Sequence, residues 1–194
     1  MYIAEKLRRQ NVTAYLIYMY QVEDVIRAYQ MNAERIREDY LVRFGYDEDQ
    51  MAKAYEWYAA LIQMMKDEGC QEHGHVQVVR ATLTLLEDRH QELLATHEHA
   101  PYEKLYYQAL PMLVELRSRG GKEKTEVENC MDAIYGLSVL EMRHQQVSEE
   151  TRRGLQPVAQ LMEMLVKKSE KDSLYAAMDI GAIWLERALA GKEK

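Results

Sequence analysis

The sequence predicts an all-α protein, a mostly antiparallel bundle of seven or eight helices. Apolar residues recur every three or four positions along nearly the whole chain, which is the spacing of one face of an α-helix. Only nine Gly and three Pro interrupt the 194 residues. No internal repeat is visible, and short links between neighbouring helices favour antiparallel packing. A chain of this length most often forms one core, so we predict a single domain over residues 1–194.

The first four predicted helices are bounded by capping or breaking residues. They are predicted over residues 3–29, 32–45, 47–69 and 76–99. Asn11 lies inside the first apolar stripe, where its amide needs a hydrogen-bond partner or a cavity. Asn32 is a candidate N-cap, and Asp47 with Gln50 has the spacing of a capping box. Gly45 and Gly69 are positioned to end helices.

The second half of the chain predicts four more helices. They are predicted over residues 101–119, 125–141, 148–165 and 174–188. Thr125 with Glu128 repeats the capping-box spacing, and Ser148 precedes two acidic residues of a first turn. Pro111 and Pro157 are expected to kink or divide their helices. Gly120–Gly121 predicts a hinge.

Composition excludes several classes of partner. The chain has 25 Lys+Arg against 32 Asp+Glu, a net charge of -7. This charge opposes binding to phosphate backbones and anionic membrane surfaces, so we expect neither nucleic acid nor membrane as a partner. No run approaches the ~20 apolar residues of a membrane span, and the N-terminus lacks a signal-peptide pattern. Two cysteines, Cys70 and Cys130, predict free thiols and a cytoplasmic protein.

Two Glu-x-x-His pairs are the strongest chemical pattern. Glu87 with His90 and Glu141 with His144 place a carboxylate and an imidazole on one helix face. Di-iron and di-manganese bundles combine two such pairs with one Glu from each of two other helices. The carboxylates that would complete this set are Glu23, which lies at the margin of its apolar stripe, with Glu103 or Glu115. The sequence thus carries a hypothesis of an iron or manganese redox bundle.

A plainer interpretation of these residues is favoured. Six histidines in a Glu-rich chain give roughly one Glu-x-x-His by chance, and Glu72 with His75 in a loop is a further case. We therefore expect no cofactor. Glu141 is then a buried acid paired with an Arg or a Tyr hydroxyl, and His90 a core imidazole bonded to a Tyr or a carbonyl.

Two further patterns are weak candidates for ligand sites. His73 and His75 beside Cys70 resemble a zinc clip, although a solvated loop is the simpler prediction. Tyrosines at helical spacing could instead line an aromatic cleft for a small molecule, oriented by Asn11, Glu23 and Arg27. The aromatic residues of this hypothetical cleft are Tyr15, Tyr18, Tyr20, Tyr55, Trp57, Tyr58, Tyr106 and Tyr107. Core and seam positions are commoner for such residues, and Glu23 and Asp24 with Arg27 first predict a helical salt bridge at four- and three-residue spacing.

The opening residues carry a resemblance. Residues 1–7, MYIAEKL, and 14–28, AYLIYMYQVEDVIRA, resemble the start of an uncharacterised family of bacterial all-helical domains of unknown function. The resemblance implies a helical fold and a cytoplasmic location, and it implies no activity, substrate or cofactor. The function favoured by the sequence is non-catalytic: binding to a protein partner or assembly, with a homodimer as one form.

Overall fold

A computed structural model describes residues 2–97, 99–119 and 124–169. All regular structure in these residues is helical, which confirms the prediction of an all-α helical bundle. The longer helices are α1 (Tyr2–Gln10), α2 (Val12–Ala28), α4 (Glu48–Asp67), α5 (Gln77–Thr96), α6 (Ala100–Arg119), α7 (Glu126–Met142) and α8 (Glu149–Lys168). None of the described helices is both long and apolar enough to cross a membrane. The predicted helix over 174–188 and the Gly120–Gly121 hinge lie outside the described residues.

The chain divides into two compact units by its internal contacts. In the described residues, the first unit ends at Ala81 and the second begins at Thr82. The first unit has a core formed from α2, α4 and the segment that joins them. Its fully buried side chains include Leu16, Ile26, Ile36, Leu41, Leu61 and Met65. The prediction that residues 1–194 form a single domain stays a prediction.

The first predicted helix is in fact two helices. Asn11 has an extended backbone (φ -155°, ψ 101°), and its side-chain oxygen accepts a hydrogen bond from the Ala14 N–H at 2.9 Å. Asn11 is therefore the N-cap of α2, which satisfies one of the N–H groups left free at a helix start. The prediction of one continuous helix over 3–29 was wrong. It relied on the apolar period, which continues across this break and so does not reveal it.

A short irregular segment follows α2 in the first unit. Asn32 accepts a hydrogen bond from the Arg35 N–H and caps α3 (Ala33–Arg35), as predicted. The chain then widens into a π-helical turn, Ile36–Tyr40, and tightens into a 3-10 turn, Leu41–Phe44. Gly45 ends the segment with a positive φ of 64°, a conformation in which a Cβ is disfavoured. Asp47 and Gln50 form the predicted capping box of α4.

The second unit contains the helices α6, α7 and α8, with α6 packed along α8 and α7 packed against both. The predicted capping box of Thr125 and Glu128 and the predicted N-cap Ser148 are both present. Pro111 and Pro157 lie inside α6 and α8, which continue through them without division. The fully buried side chains of this unit include Leu86 and Leu93 of α5 together with Tyr102, Leu113 and Met131.

Candidate functional site

Glu23 is the most deeply buried acid among the described residues, with an exposed fraction of 0%. Its Oε2 lies 2.5 Å from His75 Nδ1, and its Oε1 accepts the Val76 N–H at 2.9 Å. The Tyr20 ring stacks on the His75 imidazole, with 3.8 Å between centroids and 19° between planes. A residue of α2 thus fixes the loop that precedes α5, and both its oxygens are engaged.

Arg27 holds the same loop from the next turn of α2. Its Nη2 donates to the carbonyl oxygens of Cys70, at 3.1 Å, and Gly74. Its Nη1 donates to Asp24 at 3.1 Å, which confirms the predicted helical salt bridge for Asp24, whereas Glu23 bonds to the loop instead. Guanidinium donors suit this task because several N–H groups diverge from one planar head. We call the contacts of Glu23, Tyr20 and Arg27 with residues 70–76 the loop clamp.

The loop clamp corrects two predictions. The sequence placed Glu23 at the margin of its apolar stripe, yet the loop covers it completely. The loop with His75 and Cys70 was predicted to be solvated, yet Cys70 is buried and His75 is partly buried. Burial raises the pKa of the Cys70 thiol, so this cysteine is not an activated nucleophile. The Glu23 carboxylate and the His75 imidazole are therefore arranged to hold the backbone of this loop in place.

A second polar cluster surrounds His90 in the second unit. The His90 side chain is 1% exposed, and its Nδ1 lies 2.6 Å from the Tyr102 hydroxyl. Its Nε2 lies 3.5 Å from Glu126 Oε2, while Arg117 Nη2 donates to Glu126 Oε1 at 2.5 Å. The prediction that His90 is a core imidazole bonded to a tyrosine is confirmed. Burial raises the pKa of Cys130 to about 12, so its thiol stays protonated.

Charge pairing controls the ionisation of this cluster. Burial raises the pKa of Glu126, but the nearby His90 imidazole and the hydrogen-bonded Arg117 guanidinium outweigh it and hold the pKa below its ordinary value. Burial also raises the pKa of the Tyr102 phenol.

Glu87 lies nearby in sequence on α5, where its Oε2 accepts the Val127 N–H at 3.0 Å. Glu87 therefore satisfies one of the N–H groups left free at the start of α7.

The second Glu-x-x-His pair lies at the other end of α7. Glu141 pairs with Arg152 Nη1 of α8 at 2.5 Å, as the plainer interpretation predicted, but its side chain is 47% exposed. The prediction that Glu141 is buried was wrong, because α7 ends one residue later at Met142. His144 follows in a turn with a φ of 53°. Both residues border a shallow surface groove of about 550 Å³.

The residues of the metal hypothesis thus have separate partners. Glu23 bonds to His75, Glu87 to Val127, His90 to Tyr102 and Glu141 to Arg152. Glu103 lies 2.6 Å from His97, and Glu115 pairs with Arg119. Within residues 2–97, 99–119 and 124–169, no group of three or more His, Cys, Asp or Glu side chains could hold a metal ion.

The residues of the predicted aromatic cleft likewise have different structural roles. Asn11 caps α2, Tyr15 is a buried core residue, and Arg27 belongs to the loop clamp. Tyr18 is half-buried, and burial raises the pKa of its phenol. Of the predicted aromatic set, Tyr55 does border a surface groove in the first unit. This groove has a volume of about 530 Å³.

We call this groove in the first unit, which Tyr55 borders, the aromatic groove. Its apolar walls are Tyr46, Met51 and Tyr55, and Arg37 also borders it. The periodic patterns of the sequence did not identify Arg37, Tyr46 or Met51 as site residues. Arg37 lies in the π-helical turn and Tyr46 in the connection before α4, so helical periodicity relates neither residue to Tyr55. Their irregular segment gives no local signal of this juxtaposition.

The fold and these clusters define an all-helical protein whose buried ionisable groups mainly anchor backbone and neighbouring helices. The chain belongs to the family described as the domain of unknown function DUF4924, whose model matches residues 1–174. This finding confirms the predicted membership of an uncharacterised domain family. A search of curated proteins and a search of solved structures each gave no match.

Proposed function

We propose that this protein is a non-catalytic, cytoplasmic helical protein that self-associates through the outer face of α6. One observation carries the proposal: Tyr107 is 65% exposed and Val114 is 55% exposed on the same face of one helix. Pro111 lies between them and is also exposed. We call these three residues the α6 stripe.

The α6 stripe is distinct from the packed face of the helix. Ala109 and Leu113 are buried within the second unit. Residues two positions apart on an α-helix point about 200° apart, so Tyr107 and Pro111 lie nearly opposite these two core residues. Scattered apolar residues on a surface are ordinary. Here, however, three apolar residues are aligned along one helix whose opposite face is already buried in the core. This alignment favours a surface that binds a partner.

The spacing of the α6 stripe favours a second copy of this chain as the partner. The intervals from 107 to 111 and from 111 to 114 are four and three residues, the spacing of a coiled-coil seam. Such a seam fits another helix with the same spacing, which a second α6 supplies in a symmetric dimer. A standard stable interface buries about 800 Å² on each partner. One short stripe offers less, so we expect a micromolar rather than a nanomolar dimer.

Sedimentation velocity over low to high micromolar concentrations tests this proposal. The wild-type chain should shift from monomer to dimer, and Val114→Glu should remain monomeric because a dimer would bury its new charge. Gln160→Glu is the matched control, since it adds the same charge to an exposed position of α8 outside the stripe. Circular dichroism should show that both variants keep their helical content. A wild-type monomer at high micromolar concentration would contradict the proposal, as would an unchanged dimer of Val114→Glu.

The location and origin are part of the same proposal. Cys70 and Cys130 are both free and buried, which suits a reducing compartment such as a bacterial cytoplasm. Fractionation of cells that express the tagged chain should place it with cytoplasmic markers. Recovery with membrane or secreted fractions would contradict this part of the proposal.

A further inference from the structure

The aromatic groove in the first unit combines apolar walls with acidic edges. Tyr46 and Tyr55 face it together with Met51, and the Tyr46 ring stacks on Phe44 with 5.5 Å between centroids. Its volume of about 530 Å³ lies within the usual range for sites that bind small molecules. The groove therefore has the size and the aromatic surface that a small organic ligand requires.

The charges around the groove favour a cation. Asp47, Glu48 and Glu56 border it, against the single cation Arg37. Glu34 adds a further carboxylate, because it accepts a hydrogen bond from the Tyr55 hydroxyl at 2.5 Å. The whole chain is also acidic, with a net charge of -7. An anion would be repelled by this rim, whereas a cation would be attracted to it.

The protein itself shows that this aromatic wall accepts a cation. The Arg37 guanidinium carbon lies 5.8 Å from the centroid of the Tyr55 ring, within the range of a cation–π contact. Arg37 belongs to the π-helical turn Ile36–Tyr40, and such turns occur frequently at functional sites. Its side chain is exposed, so a ligand cation can compete with it for the ring without unpacking the core.

We propose that the aromatic groove binds a small organic cation, an alkylammonium or quaternary ammonium group attached to an apolar body. The positive group contacts the Tyr55 face beside the acidic rim, and the apolar body covers Met51 and Tyr46. This site is independent of the α6 stripe. Failure of either proposal leaves the other standing.

Titration with benzyltrimethylammonium, followed through the NMR signal of the Met51 methyl group, tests this proposal. The cation should give a saturable shift that weakens as salt is added, because screening reduces the attraction of the acidic rim. Benzyl alcohol, which has the ring without the charge, should bind more weakly, and phenylacetate should not bind. Equal affinity for the cation and benzyl alcohol would overturn the proposal, as would the lack of a saturable shift.

Variants of the groove separate the ring from its charges. Tyr55→Leu should weaken binding about two- to fivefold, the range expected from losing one exposed cation–π contact. Tyr55→Phe should keep most of the affinity, because it retains the ring while removing only the bond to Glu34. Glu56→Gln should weaken binding, whereas Glu38→Gln, an exposed acid of the π-helical turn outside the groove, should not. Unchanged binding by Tyr55→Leu would refute the assignment of the ring.

Discussion

Replacing Glu23 with leucine tests whether the loop clamp stabilises the fold. Glu23 has no exposed surface, and its carboxylate accepts from the buried Val76 N–H at 2.9 Å while contacting His75 Nδ1 at 2.5 Å. A buried donor left without a partner costs about 1–3 kcal/mol. A hydrogen bond to a carboxylate contributes about 1.5–3 kcal/mol. His75 keeps partial access to water, so we expect Glu23→Leu to lower the free energy of unfolding by about 3 kcal/mol.

Glu23→Gln separates the hydrogen bond from the charge. The amide oxygen of glutamine can still accept the Val76 N–H, and its nitrogen can face His75 in a similar volume. Only the charge-assisted part of the His75 contact is lost, so the expected loss is about 1 kcal/mol. The order of stability should therefore be wild type, then Glu23→Gln, then Glu23→Leu.

Urea unfolding followed by circular dichroism measures these differences. Lys53→Leu, a polar-to-apolar change at an exposed position of α4, serves as the control and should stay within about 0.5 kcal/mol of wild type. Hydrogen exchange at the Val76 amide adds a local measurement, because Glu23→Leu should accelerate exchange there more than Glu23→Gln does. A loss below about 1 kcal/mol for Glu23→Leu, or equal losses for both variants, would refute the reasoning.

Three further predictions follow from other parts of the structure. Gly136→Ala in α7 should raise the free energy of unfolding by about 0.5–1 kcal/mol, since the new Cβ meets nothing within 4 Å. Gly154→Ala should gain less, because its Cβ would collide with Met112 Cε; equal gains in melting temperature would contradict this comparison. The lowered pKa of Glu126 means that its pairing with His90 contributes stability above the ordinary pKa of the carboxyl. That contribution is lost as pH falls through the lowered pKa, so the stability difference between wild type and Glu126→Gln should shrink in acid; a pH-independent difference would count against it. Elemental analysis of the purified chain should find iron and manganese below stoichiometric amounts, and a near-stoichiometric metal would restore the carboxylate-bundle hypothesis.

Local signals predicted most helix boundaries. The capping boxes at Asp47 and Thr125 and the N-caps at Asn32 and Ser148 all hold in the structure. These predictions succeed because a capping side chain bonds to a backbone group only two or three residues away. Asn11 carries the same kind of signal, but the apolar period on both sides of it favoured a continuous helix. Where two local signals compete, the cap decides the boundary here.

Burial of individual polar residues could be predicted less well. Glu23 is covered by residues 52 and 53 positions further along the chain, and no pattern within its own helix encodes that contact. Glu141 lies centrally on the apolar stripe of α7 but remains exposed, as do its neighbours Leu140 and Met142. Periodicity shows which residues share a face of a helix. It does not show where along the helix the packed neighbour ends.

The same distinction explains why the Glu-x-x-His pattern was a weak guide to a metal site. The three-residue spacing fixes the geometry within one helix, whereas ligation requires side chains from several helices to converge on one point. In the described residues each acid of the metal hypothesis already has a hydrogen-bond or ion-pair partner, and Glu23 would have to release a buried backbone N–H before it could bind a metal. A metal would have to offset that loss as well as displace His75. The present hydrogen-bond partners of Glu23 therefore favour a structural role for this residue over metal ligation.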